Sequence, residues 1–280
     1  MRTFFAAIAI AALAVTSVTS PVAAQEHDSP VNFVRFAHEG QISYGAVHGD
    51  RIQEIDGDLF GPHRATDRWV MLAEVDLLPP TEPRKVIAVG LNYQSHLGSR
   101  QPAAYPGLFA KYPTSLVGHG DDILAPADAQ NLHYEGEMVL VIGRECTDVS
   151  EDDAMDCVFG ITAGNDVSER DWQRADLQWF RAKASDTFGP VGPTIAWGVD
   201  PDNVLVQTRV NGEVRQSEST ADLLFGTAAI VSYVSRYVTL EPGDLIFTGT
   251  PGSTQAMQPG DVVEVEVEGV GTLRNTVRRR

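Results

Sequence analysis

The segment Glu135-Gly136-Glu137 runs into an apolar stretch, residues 138–142, that reads as a strand. Residues i and i+2 of a strand point to one side, so the two carboxylates project together. Like charges so placed repel unless a cation compensates them, and a divalent ion does so directly. Asp166 ends a second strand-like run, residues 161–166. Three carboxylates with no Cys or clustered His make a hard-oxygen set that suits Mg2+ or Mn2+, with Ca2+ as a further option. Three protein ligands also leave octahedral positions for water and a chelating substrate. A bare Glu-x-Glu is far more often a solvated strand edge than a metal site, so its surroundings decide.

The elements that must position these groups are mostly short strands. Residues 31–55 read as a small antiparallel meander, turning at His48-Gly49-Asp50. Residues 61–78 are less regular and have room for a short helix. The proline-rich residues 78–83 resemble a linker, and an apolar strand follows at 85–90. Ser150 is placed to cap a helix reaching about Cys157, with acidic residues in its first turn. Asn211-Gly212 predicts a hairpin turn after a strand over 205–210. A helix is expected to open at Thr220 and continue through Leu224, Ile230, Val231 and Val234. Strands over 245–247 and 262–267 follow, and the alternating Glu264, Glu266 and Glu268 read as a solvated face. With no βαβ alternation, the expected class is α+β, mostly β. The expected organisation is a signal peptide over 1–24, a small N-terminal β domain over 25–80 and a catalytic domain over 81–280.

Bulk properties bound the function. The 280 residues carry a formal net charge of −17 and a pI near 4.7. Such a surface repels phosphate backbones, so nucleic acid is excluded as a partner. It also means that an anionic ligand requires local positive charge. Met1-Arg2-Thr3, an apolar run over 4–15 and a small-residue end at Ala24 have the layout of a secretory signal peptide. That run is too short for the ~20 residues of a membrane span. Export to the periplasm or medium is therefore expected, with no membrane segment after cleavage. Cys146 and Cys157 are expected as two buried free thiols, a bridge being the alternative.

A series of motifs, in order, resembles the fumarylacetoacetate hydrolase family. It comprises Gly90-Leu91-Asn92-Tyr93-Gln94-Ser95-His96, Leu108-Phe109-Ala110-Lys111 and His133-Tyr134-Glu135-Gly136-Glu137. Asn165-Asp166-Val167-Ser168-Glu169-Arg170-Asp171, residues 183–190 beginning Lys183-Ala184-Ser185-Asp186, residues 243–251 ending Thr248-Gly249-Thr250-Pro251, and Pro259-Gly260-Asp261 continue it. The match spans nearly the whole chain beyond the signal segment, and several motifs in one order are far more specific than any alone.

The resemblance implies a rolled, mixed β-sheet catalytic domain, usually assembled as a homodimer. It implies Mg2+ or Mn2+ on Glu135, Glu137 and Asp166, and a small oxo-acid substrate such as an acylpyruvate. His96 corresponds to the family's general base, a role suited to an imidazole. The bland alternative is a hydrogen-bonded structural histidine. Lys183 matches the active-site lysine, whose ammonium can stabilise an enolate or carboxylate. Arg170 and Gln173 are expected to meet the substrate carboxylate, Arg170 alternatively bracing the metal carboxylates. Thr250 and Tyr105 are further expected substrate contacts, Tyr105 in a segment that often serves as a lid.

Two departures qualify this. Where the family often has a glutamate three residues after the histidine, this chain has Ser99. After Pro251 it reads Gly252-Ser253-Thr254-Gln255 rather than the Gly-Val-Gly that often follows. The leading expectation is metal-dependent hydrolysis of a C–C bond in a 1,3-dioxo acid. Its rivals are an isomerase, tautomerase or decarboxylase using the same metal on an oxaloacetate-like acid, and a non-catalytic oxo-acid or metal binding protein.

Overall fold

A computed structural model describes residues 30–280. The chain opens with an antiparallel meander, β1 (Val31–His38), β2 (Gln41–His48), β3 (Arg51–Gly57) and β4 (His63–Met71). The short helix expected within residues 61–78 is instead mostly β4, followed by one 3-10 turn, Leu72–Glu74. Cross-strand pairing with β3 overrides the weak local signal there. Residues 78–85 belong to no helix or strand.

Next come β5 (Val86–Gly90), the single-turn α1 (Gln94–Leu97), β6 (Gly107–Lys111), β7 (Asp122–Ala125) and β8 (Gly136–Ile142). After α2 (Glu151–Ala154) and a 3-10 turn to Cys157 comes β9 (Val158–Asn165). The short helices α3 (Arg170–Ala175) and α4 (Phe180–Ala184) lead into β10 (Gly189–Trp197). The expected hairpin is β11 (Leu205–Val210) and β12 (Glu213–Ser219). The last elements are α5 (Thr227–Ser235), β13 (Leu245–Phe247), β14 (Val262–Val267) and β15 (Gly271–Arg279).

The main sheet has the order β4-β3-β2-β1-β10-β9-β8-β13-β5-β6, so the meander continues the large sheet through the β1–β10 pairing. It is mixed: β13 and β5 run parallel, while their neighbours are antiparallel. A second sheet, β12-β11-β14-β15-β7, packs across it. The fold is the expected α+β, mostly β, rolled mixed-sheet architecture with a small N-terminal β portion. Every residue of β8 is buried, as its apolar run over 138–142 requires, and the burial takes Glu137 with it. Met138, Leu140 and Ile142 pack with Ile230 and Val231 of α5 and with Val206 and Val265 of the second sheet. Val139 and Val141 pack on the opposite face with Val86, Leu245 and Phe247.

Two expectations are corrected. The helix does not run from Thr220: a 3-10 turn (Thr220–Asp222) is followed by a break, and α5 starts only after Gly226. Asn92 causes the break. Its side chain accepts from the N–H of Phe225 (2.8 Å) and donates to the Phe225 carbonyl (3.0 Å), while its carbonyl accepts from Leu224 N–H (2.8 Å). A backbone bonded in this way cannot join a helix. Second, Cys146 and Cys157 are not free thiols but a disulfide, S–S 2.05 Å. The β8–β9 pairing returns the chain on itself, the N–H of Gly143 bonding the carbonyl of Cys157 at 2.8 Å, and so brings the two together. Among the described residues no helix is long and apolar enough to cross a membrane.

Candidate metal centre and active site

The site grows from the β8–β9 register. The strands are antiparallel with Gly136 opposite Asn165, which sets the start of β8 beside the end of β9. The N–H of Asp166 donates to the carbonyl of Glu135 (2.8 Å), and the N–H of Glu135 to the Asn165 side chain (2.9 Å). Strand alternation turns Glu135 and Glu137 to one side. Glu135, Glu137 and Asp166 each offer an oxygen such that all three lie within 4.8 Å of one another, and all are buried.

Cations surround two of the three carboxylates. Lys183 Nζ donates to both Glu135 Oε2 and Asp166 Oδ2 at 2.6 Å. Lys111 Nζ donates to Asp166 Oδ1 at 2.6 Å and to the carbonyl of Lys183. Arg170 pairs with Glu135 and also donates to Gln173 (2.8 Å) and Thr254 (2.9 Å). Burial alone would raise the pKa of Glu135, but Lys183, Arg170 and His96 outweigh it and hold the carboxyl well below its ordinary value. Burial likewise opposes the charge of Lys183, and Asp166 and Glu135 reverse that and raise its pKa.

Glu137 differs. It accepts the N–H of Gly249 at 2.7 Å, and among the described residues no basic side chain forms an ion pair with it. Burial first, then Asp166 and Glu135, push its pKa well above the ordinary carboxylate range. A buried carboxylate without a basic partner, grouped with two others, is the donor set a hard divalent cation satisfies. The residues present therefore fit such an ion.

The cluster lies at the floor of a cleft of about 690 Å³. His96, Lys183, Arg170, Gln173 and Thr250 all line it, as the sequence expects. His96 Nδ1 is 2.6 Å from the carbonyl oxygen of Gly252, and Nε2 is 3.7 Å from Glu135 Oε1. Thr250 turns its hydroxyl inward, donating to the carbonyl of Gly136 at 2.8 Å. Tyr105 is not brought to the cleft: it is 60% exposed and stacks on Tyr233 of α5 with centroids 6.0 Å apart. Sequence reasoning missed Lys111 as a site residue, although its motif was visible. It also missed His133, which bonds Thr254 (2.8 Å) and Asn131 (2.8 Å) at the rim. Burial and the nearby Arg170 push the pKa of His133 down to about 4.

The family model for the fumarylacetoacetate (FAA) hydrolase C-terminal region matches residues 85–278, which include the whole acidic cluster and the cleft around it. The chain belongs to the fumarylacetoacetate hydrolase family. A second model, Rv2993c-like, N-terminal, matches residues 32–80. Among solved structures, a 2-hydroxyhepta-2,4-diene-1,7-dioate isomerase from Mycobacterium marinum is 42% identical with TM-score 0.84, covering 89% of this chain and 99% of the other. A maleylpyruvate hydrolase from Sphingobium sp. SYK-6, solved with manganese(II) and pyruvate, is 28% identical with TM-score 0.74, covering 89% and 99%. The mitochondrial oxaloacetate tautomerase Fahd2a of Rattus norvegicus is 39% identical over 214 residues, 72% of this chain and 68% of the relative.

Family membership identifies the chain with enzymes that act on small oxo-acids. The manganese-bound relative and the buried acidic triad together point to a divalent metal. The comparison corrects one expectation. Export is not supported, because relatives of this fumarylacetoacetate hydrolase family member include mitochondrial proteins. The segment read as a signal peptide lies outside the described residues.

Proposed function

We propose that this chain is a metal-dependent tautomerase or isomerase of 2-oxo diacids of the oxaloacetate or 2-hydroxydienoate type, with His96 as proton carrier. The observation that carries this is the setting of His96. A carbonyl oxygen only accepts, so the Gly252 contact assigns the hydrogen to Nδ1 and leaves the Nε2 lone pair on the side of Glu135. Hydrolysis asks the imidazole to hold a proton taken from water while the carbon–carbon bond breaks, and a carboxylate on its far nitrogen stabilises that state. Here the far nitrogen meets a neutral carbonyl, and Ser99 supplies no acid. Moving one proton between carbon and oxygen makes a smaller demand. The isomerase and tautomerase names of two relatives support the same reading.

In this proposal Glu135, Glu137 and Asp166 hold Mg2+ or Mn2+, with Ca2+ as a further option. When bound, the ion supplies Lewis acidity to a 2-oxo group and its carboxylate. His96 Nε2 takes the proton from the carbon beside that group and returns it to oxygen. Lys183, fixed between Glu135 and Asp166, holds positive charge beside the enolate oxygen. Arg170, oriented by Gln173 and Thr254, faces the substrate carboxylate, with Gln173 and Thr250 completing its surroundings. These cations answer the charge problem posed by a chain of net charge −17. The division into residues 25–80 and 81–280 and assembly as a homodimer are parts of the same proposal, and light scattering tests the assembly.

The experiment is a side-by-side assay of enol and keto oxaloacetate and of acylpyruvates with Mg2+ and Mn2+, following enol absorbance and pyruvate release. Enol–keto exchange well above the buffer rate, with little pyruvate from acylpyruvates, is expected. Rapid acylpyruvate cleavage without such exchange would establish hydrolysis, the second reading, which the maleylpyruvate hydrolase relative favours.

A further inference from the structure

We infer that Glu218 and Ser95 are positioning residues for His96, an acid from the second sheet acting through one hydroxyl and the backbone of one residue, Gly252. The inference rests on the reading of His96 as proton carrier. Ser95 Oγ donates to Glu218 Oε2 at 2.6 Å and accepts the N–H of Gly252 at 2.8 Å. The carbonyl of that same Gly252 accepts from His96 Nδ1 at 2.6 Å. The carboxylate fixes which way the serine hydroxyl points, because an acceptor at 2.6 Å takes its only hydrogen. The serine lone pair is then left for the N–H of Gly252, which anchors that residue while its carbonyl, in the next peptide unit, accepts from the imidazole. A preference for the Nδ1–H tautomer therefore starts at a residue more than a hundred positions away in sequence.

The local structure shows why such support is needed. His96 sits on α1, a single turn of four residues with no side-chain cap at its N-terminus. One isolated turn holds its residues weakly. Gly252 is at φ +61, and nothing lies within 4 Å of where its Cβ would be, so packing does not set this turn. Hydrogen bonds do. Gln216 and Glu218 lie at i and i+2 on β12 and point to one side. Gln216 Nε2 donates to Thr250 Oγ1 (2.8 Å) and to the carbonyl of Pro251 (2.6 Å), while Glu218 holds Ser95. One strand of the second sheet thus ties both halves of the loop against α1. Neither residue touches the reacting atoms. Glu218 acts on the ring only through Ser95 and Gly252 and places no carboxylate on its far nitrogen.

The test uses the full chain with diamagnetic Mg2+ and compares Ser95→Ala, Ser95→Thr, Glu218→Ala and Glu218→Gln. Two readouts are needed: kcat and KM on oxaloacetate enol, and the 15N signals of His96 at about pH 8.5, where a free imidazole is neutral. His96→Gln assigns the signals. Ser95→Ala and Glu218→Ala are expected to lower kcat about 10-fold or more with little change in KM, as loss of an orienting partner does. Their His96 signals should move from a pure Nδ1–H pattern toward a tautomer mixture. Ser95→Thr and Glu218→Gln keep a hydroxyl and an acceptor oxygen and should stay near wild type, which separates a lost bond from a lost fold. A pure Nδ1–H pattern and full kcat in both alanine variants would overturn the inference. Full activity in His96→Gln would remove the base assignment instead, and the 15N comparison would still decide whether Glu218 and Ser95 set the ring.

Discussion

The carboxylate of Glu137 accepts the backbone N–H of Gly249 at 2.7 Å, while its neighbours Glu135 and Asp166 share a lysine that does not reach it. If the third carboxylate is there for a metal, Glu137→Gln should weaken Mn2+ binding about 100-fold, close to 2.7 kcal/mol, by titration calorimetry. The metal-free variant should melt no lower than metal-free wild type, since a like charge has gone. Unchanged Mn2+ affinity would remove Glu137 from the ligand set.

Metal removal should act on stability in the same direction. An ion bound at 100 times its Kd adds about 2.7 kcal/mol to the folded state. Chelator-treated protein should therefore melt several degrees lower and recover on adding Mn2+. In Glu137→Gln that recovery should largely vanish at the same Mn2+ concentration.

Lys183 is expected to matter for folding as well as turnover. It is 3% exposed and bridges two carboxylates. Lys183→Met leaves Glu135 and Asp166 without that ammonium, and breaking a buried pair from one side costs about 3–5 kcal/mol. Urea denaturation of the metal-free protein measures it. A change below about 1 kcal/mol would mean that Lys111 and Arg170 already neutralise the pair.

The Cys146–Cys157 bond closes a short loop, sequence separation 11. Constraint of the unfolded chain by a loop of that size contributes about 3 kcal/mol. A double serine variant should show that loss in denaturant midpoint, and a reductant should lower wild type toward it. Identical midpoints with and without reductant would show that the bridge contributes nothing.

Alkaline stability should depend on Tyr44. Burial first, opposed by Arg35, raises its pKa to about 12. The folded state then keeps a proton that the unfolded state releases near pH 10, so its contribution is complete below pH 10 and is lost as pH rises toward 12. Tyr44→Phe should show a shallower fall in stability across that window by urea midpoints. Parallel curves for the two proteins would exclude the effect.

What could be read in the sequence was what depends on neighbours in the chain. The period-2 spacing of Glu135 and Glu137, the strand end at Asp166, the Ser150 cap and the Asn211-Gly212 turn are all local features, and each stands where expected. Lys183, His96, Arg170 and Gln173 came from motifs and converge on one cleft. What escaped depends on distant partners. Asn92 breaks the helix expected at Thr220; Gly226 is a local hint of an interruption, but the side chain that fixes it lies far off in the chain. Tyr105 finds Tyr233 rather than the cleft, an aromatic stack between segments far apart in the chain. Glu218 reads as one more polar residue on a hairpin strand, and only the meeting of two sheets brings it to Ser95.

Gly136 stands between the two glutamates, where a Cβ would come within 1.9 Å of Thr208 Oγ1 on β11. Its carbonyl is held by Thr250 and its N–H by Gln216. The residue joining Glu135 to Glu137 is therefore gripped from two sides, by Gln216 and Thr208 of the second sheet and by Thr250 of the loop after β13. The backbone that carries the two glutamates cannot shift unless those contacts give, so any adjustment to an incoming ion falls to side-chain torsions on a fixed base.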